Sequence, residues 1–206
     1  MNMNKTGKRL LLALAVLCTV PALAQEKIES LAKGGKVRVG GFGAPTIKFT
    51  SFDDELGVLL GGYAGVMLNS KLMLGAGAYA LVNNIEAPRA NPTDATMYWN
   101  MWYTGFVPEY TIKGNKLVHL AVGALVGGGG VFMNERFKNW EDYESIGYSS
   151  FFVGEPHLNL EMNITSYLRL GIGGSYRFVR GSGTEGITDE KLSGPSAHFT
   201  IKAGRF

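Results

Sequence analysis

Residues 150–180 read SFFVGEPHLNLEMNITSYLRLGIGGSYRFVR, and their side chains alternate in character. Phe152, Leu158, Leu160, Met162 and Ile164 share one parity, opposite Glu155, His157, Asn159, Glu161 and Asn163. After Thr165-Ser166 the pattern resumes, with Leu168, Leu170, Ile172, Tyr176 and Phe178 opposite Arg169, Ser175 and Arg177. A period of two places the two sets on opposite faces of a sheet. Two such runs joined by two polar residues predict an antiparallel hairpin. Each run has a wholly apolar face, which in a soluble sheet would lie against a core.

The same period extends along the chain. Eight alternating segments are expected, roughly Val37–Phe52, Glu55–Leu68, Lys71–Asn83, Thr96–Ile112, Lys116–Phe132, Ser150–Ile164, Tyr167–Arg180 and Gly194–Phe206. No segment beyond residue 36 sustains a helical period. The fourth is the least regular, and Pro108 within it predicts a bulge. Asn69-Ser70, Lys113-Gly114-Asn115 and Thr165-Ser166 are tight connections, whereas Asn84–Ala95, Met133–Ser149 and Gly181–Ser193 are long and polar. Long and short alternate after the first hairpin, as in an up-and-down barrel with a periplasmic and an outer rim. Asp53-Asp54, a short link on the outer rim, departs from this. Aromatic residues are expected in two girdles. Phe49, Phe52, Tyr98, Trp99, Trp102, Tyr103, Phe132, Phe151, Phe152, Tyr176 and Phe178 fall near the long loops, and Tyr110, Tyr167 and Phe206 near the short turns.

The leader supports the same destination. Lys5, Lys8 and Arg9 precede an apolar run from Leu10 to Val20, and Ala22-Leu23-Ala24 closes it with a small-x-small site. This is the pattern of a signal peptide, residues 1–24, cleaved before Gln25; the run is too short to span a bilayer. Residues 25–36 then form a short periplasmic segment, and residues 37–206 the barrel. The chain carries 20 basic and 17 acidic residues. Three of the basic residues lie in the leader, so the remainder is balanced and gives no reason to invoke nucleic acid. Its single cysteine, Cys18, also lies in the leader. Export without disulfides points to the periplasm or the outer membrane.

On these features residues 37–206 resemble the small eight-stranded outer-membrane barrels, the OmpA membrane domain and OmpX type. The resemblance implies an all-β, antiparallel, transmembrane up-and-down barrel in the outer membrane. It also implies that the outer-membrane assembly machinery reads the last strand through its terminal Phe206. Because Phe206 lies out of phase with Phe199, Ile201 and Ala203, a bulge near Gly204 is expected. The likeness is one of architecture and carries no functional residue over.

If the apolar parity faces lipid, the polar parity faces the lumen, since charge is not left in hydrocarbon. Arg38, Lys48, His119, Glu155, His157, Glu161, Arg169, Arg177, His198 and Lys202 then point inward. Opposite charges in so narrow a space are expected to pair into an ion-pair plug. The second to fifth segments line the other side with Gly57, Gly61, Gly65, Gly75, Gly77, Gly123 and Gly127, beside Tyr63 and Tyr79. An eight-stranded interior is filled by side chains or holds one small ligand, so a narrow pore or ligand carrier is the alternative function.

A lipid-modifying enzyme is the third reading. Deacylases of the PagL type use a lipid-facing His-x-Ser pair, but His198-Phe199-Thr200 and His157-Leu158-Asn159 both have lumen parity. No zinc spacing occurs, and the glycines at 127–130 lie inside an apolar run without opening a helix, so no cofactor is expected. Asp53-Asp54-Glu55 is a solvated turn with weak resemblance to a cation site. In the long connection 133–149, Phe137, Trp140, Tyr143 and Tyr148 alternate with charged residues, a composition enriched at protein contacts. That loop is the candidate site for an extracellular partner. The function expected is structural or surface interaction.

Overall fold

The computed structural model describes residues 37–88, 96–135, 146–183 and 186–206. The expected leader and residues 25–36 lie outside the described residues, as do Phe137, Trp140 and Tyr143 of the candidate contact loop. Eight strands follow one another: β1 (Val39–Phe52), β2 (Glu55–Leu68), β3 (Leu72–Leu81), β4 (Tyr98–Ile112), β5 (Val118–Asn134), β6 (Ile146–Asn163), β7 (Leu168–Arg180) and β8 (Gly194–Gly204). One turn of helix, α1 (Asp189–Leu192), precedes β8. Every strand pairs antiparallel with its sequence neighbours, and β1 pairs with β8, so the sheet closes into a barrel without an edge. Strands of 10 to 18 residues meet or exceed the length of roughly 9–11 that crosses a bilayer when tilted.

The alternation read from residues 150–180 holds in three dimensions. Leu160 is 46% exposed on the outer surface, and its neighbour Glu161 only 2%, inside. Leu158, Ile172, Phe178, Phe199 and Ile201 are likewise exposed, while Lys48, Glu155, Arg169, Arg177 and Lys202 are buried. A barrel apolar outside and charged within is inverted relative to a soluble protein; its outer surface is suited to acyl chains.

Two tight turns at opposite ends have the same geometry. Asp53 and Asp54 have φ of 49° and 62°, and Asn69 and Ser70 have φ of 52° and 57°. Paired left-handed residues make the turn whose twist matches that of a two-residue hairpin.

Three expectations are corrected. Pro108 makes no bulge: β4 pairs with β5 in one register from Phe106↔Val126 to Glu109↔Gly123, and Pro108 itself pairs with Leu74 of β3. A proline lacks one donor, and the ladder passes over it without shifting. The register does shift between Val131 and Met133, near the long-loop end of β5. Gly204 makes no bulge either. The β7–β8 register is unbroken to Leu168↔Ala203, and Phe206 keeps the inward parity, its ring 6.2 Å from that of Phe42. Finally, the outer girdle loses four of its eleven expected rings. Phe49, Trp102, Phe152, Tyr176 and Phe178 face outward, but Phe52, Trp99, Tyr103 and Phe151 are buried inside. Ring height was legible from the sequence, but parity decides the face.

Candidate functional site

The lumen is the site that the fold builds. At the short-turn end, Lys202 on β8 donates to Glu109 Oε1 at 2.5 Å and to Glu161 Oε1 at 2.6 Å. Glu109 also accepts from Tyr63 Oη at 3.1 Å and from Asn159 Nδ2 at 3.4 Å, and His157 Nε2 lies 3.3 Å away. Glu161 meets His119 Nε2 at 3.1 Å and Arg169 Nη1 at 3.7 Å. The Arg169 guanidinium lies 3.8 Å from the centre of the Phe206 ring. One lysine thus holds two carboxylates that would otherwise repel each other.

Nearer the long-loop end, Lys48 on β1 donates to Glu155 Oε1 at 2.8 Å. Glu155 accepts two further hydrogen bonds, from Ser175 Oγ at 2.6 Å and Tyr103 Oη at 2.7 Å. The ammonium of Lys48 rests 3.6 Å over the Tyr79 ring. Charge-assisted bonds of this kind hold a desolvated carboxylate where a single ion pair would leave lone pairs unmet. Between the two groups lies a cavity of about 10 Å³ lined by Lys48, Tyr63, Tyr79, His157, Asn159 and His198. That is room for about one water. Tyr79 takes the space before Gly61 and Tyr63 that before Gly77, since a glycine floor allows a large ring beside it.

Lys48, Glu155, His157, Glu161, Arg169 and Lys202 are therefore brought together, with His119. His198 joins them through Asn159, whose Oδ1 lies 2.5 Å from His198 Nε2. Two residues named from the sequence stand elsewhere. Arg38 is exposed, and its backbone N–H donates to Asn69 Oδ1 at 3.0 Å. It precedes the first rung of β1, where parity no longer steers a side chain inward. Arg177 is fully buried, yet among the described residues it meets no carboxylate: its Nε donates to Leu192 O at 2.7 Å and its Nη2 to Ser51 O at 3.2 Å. Glu109, with four partners, was missed. Keeping the period of two through Pro108 from Tyr103 and Val107 would have placed it inside.

The long-loop end is roofed by chain outside the strands. Ile85, Ala87, Ile187 and Leu192 are buried against Trp99 and Phe52. The β7–β8 connection is tied down at several points. Thr188 caps α1, the Asp189 carboxylate accepts from the N–H groups of Gly181 and Ser182 at 3.0 and 2.9 Å, and Lys191 Nζ donates to Asp53 Oδ1 at 2.6 Å. Trp99 Nε1 donates to the other Asp53 oxygen at 3.2 Å. Asp53 raises the pKa of Lys191, first by that hydrogen bond and then by its charge. The acids of the Asp53-Asp54 turn thus meet a lysine. Among the described residues no group of three or more His, Cys, Asp or Glu is placed to hold a metal. Tyr148, assigned to the contact loop, belongs to β6; it is 56% exposed, its ring 6.1 Å from that of Phe132.

No family model matches the chain, and no curated protein matches its sequence. Solved structures do match the fold. Neisserial surface protein A (NspA) is similar over 83% of this chain and 99% of its own, at 10% identity, with a TM-score of 0.52. The chain has the architecture of a small eight-stranded outer-membrane barrel. Also similar is Ail, the attachment invasion locus protein of Yersinia pestis, solved in complex with the heparin analogue sucrose octasulfate. It covers 82% of this chain and 98% of its own at 12% identity, with a TM-score of 0.43. In a barrel of this architecture the exposed apolar belt is suited to a bilayer, and the ionisable parity is enclosed. His157 and His198 both line the lumen, away from lipid.

Proposed function

We propose that this protein is a closed, non-conducting outer-membrane barrel whose role is structural and at the cell surface: membrane integrity, surface contact or adhesion. One observation carries the reading. The interior is filled at two successive levels by buried, mutually bonded side chains, and the cavity between them holds about 10 Å³. An ion or solute would have to break charge pairs in a solvent-poor interior to pass, at several kcal/mol each. Planar-bilayer recording tests this: the purified barrel is expected to show no steady conductance, and a stable open level in the unmodified protein would overturn the proposal.

The surface role falls to the long connections. The segment 136–145, with Phe137, Trp140 and Tyr143, links β5 to β6 in sequence, and Tyr148 of β6 stands exposed. Deleting 136–145 is expected to abolish adhesion of cells displaying the barrel while leaving heat-modifiable mobility intact; retained adhesion would clear the loop of this role. The proposed reading of the last strand by the assembly machinery has to precede closure, because Phe206 afterwards packs between Phe42 and Arg169.

A further inference from the structure

The outer surface is not uniformly filled. Across the β6–β7–β8–β1 ladder, one row reads Leu158↔Gly174, Gly174↔Ala197 and Ala197↔Phe49. The two central residues are small and the flanking two large. The row towards the short turns holds Ile172 paired with Phe199, and the row towards the long loops holds Tyr176 paired with Pro195. Gly174 and Ala197 thus form the floor of an open recess of about 600 Å³ in the lipid-facing belt, bordered by Leu158, Ile172, Phe199 and Phe49 and unwalled towards the long loops. A Cβ added at Gly174 would meet nothing nearer than Ser196 O at 3.6 Å, so no protein atom occupies the space before it.

A second recess of about 550 Å³ shares Phe49 and Ala197 with the first and continues over Ser51 and Pro195 to Leu56 and Glu55. The two make one trough from mid-barrel to the long-loop rim. Three residues of strand separate Phe49 from that rim, a rise of about 10 Å. Its mouth is acidic. Glu55 is exposed, the Asp54 side chain is 85% exposed, and Lys191 nearby is engaged by Asp53 at 2.6 Å and lies 3.6 Å from Asp54. Arg180, the cation at the end of β7, pairs across from Phe152 of β6 and lines neither recess.

We propose that this trough seats the acyl chain of an amphiphile whose head group is a cationic amine, the chain lying over Gly174 and Ala197 and the ammonium meeting Glu55. An apolar recess facing hydrocarbon gains dispersion contacts from a chain laid in it, and the acidic mouth selects the head. This rests on the membrane-spanning reading above.

The test is electron paramagnetic resonance on the full barrel in phosphatidylcholine vesicles, with stearylamine or stearic acid spin-labelled near the chain end. Motionally restricted stearylamine is expected to exceed stearic acid by about two- to fivefold, the range of an exposed ion pair. Ala197→Phe and Gly174→Val, both facing lipid and each checked for heat-modifiable mobility, are expected to abolish the excess. Ala64→Phe, on the lipid face of β2, is expected to leave it. Glu55→Gln is expected to bring the amine down to the level of the acid. Equal restriction of the two probes in the unmodified barrel, or an excess that survives Ala197→Phe or Gly174→Val, would overturn the proposal. Restricted spin-labelled phosphatidylcholine, which any spanning barrel produces, reports separately on the membrane reading.

Discussion

The two ends of the lumen are closed by different physics. At the short-turn end the closure is ionic: Lys202 bridges Glu109 and Glu161, and His119 and Arg169 complete the second carboxylate. All of these side chains come from strands and are aimed by parity. At the long-loop end the closure is mostly apolar, with Phe52, Trp99, Ile85, Ile187 and Leu192 stacked over the barrel. There much of the material is supplied by chain outside the strands, and the buried Arg177 donates from Nε and Nη2 to loop and strand carbonyls. Ion pairs borne by strands are held in place by the sheet itself. A loop-borne roof can open locally without unfolding the sheet, because local openings draw on regions with few interstrand bonds.

The comparison breaks most sharply at Lys202. Lys202→Met leaves Glu109 and Glu161 buried together without their shared cation, and is expected to destabilise the barrel by about 3–5 kcal/mol, read as the urea midpoint of the reconstituted protein. Lys48→Met is expected to be milder, since Glu155 keeps Ser175 and Tyr103. Equal losses at the two sites would remove the distinction between a bridging lysine and a paired one.

Leu192→Ala probes the roof. A loss of about 2 kcal/mol, at the low end for a buried leucine, is expected to appear as faster hydrogen exchange in residues 181–193 with the strand amides unchanged. Exchange rising equally in β1 and β8 would mean that the roof and the barrel open as one. Smallest is the latch between Lys191 and Asp53. The raised pKa of Lys191 means that its ion pair contributes fully below the ordinary value of 10.5 and is lost as pH rises through the higher folded value. Asp53→Asn is therefore expected to speed roof exchange at neutral pH, a difference that vanishes in strong alkali; a difference unchanged there would assign the latch to the Trp99 bond instead.

Much of this was legible along the chain, and the places where it was not have causes. Alternation marked Lys48, Glu155, Glu161, Arg169 and Lys202 as inward. Glu109 was hidden by the proline before it, which breaks a reader's count without breaking the register. Arg177 has the right parity and the wrong company, because a sequence cannot show that Leu192 returns over the mouth to offer it a carbonyl. Tyr103 and Trp99 sit at girdle height but face inward.

What the sequence determined by itself is the face of each strand residue and the closed sheet. A period of two and hairpins of fixed length leave little choice once one side must touch lipid. Only the tertiary structure decided which charges meet, that one lysine serves two glutamates, and that loops seal the outer end. Those outcomes depend on closure of β1 against β8 and on distances across the lumen, and no local periodicity encodes a distance between residues as far apart as Lys202 and Glu109.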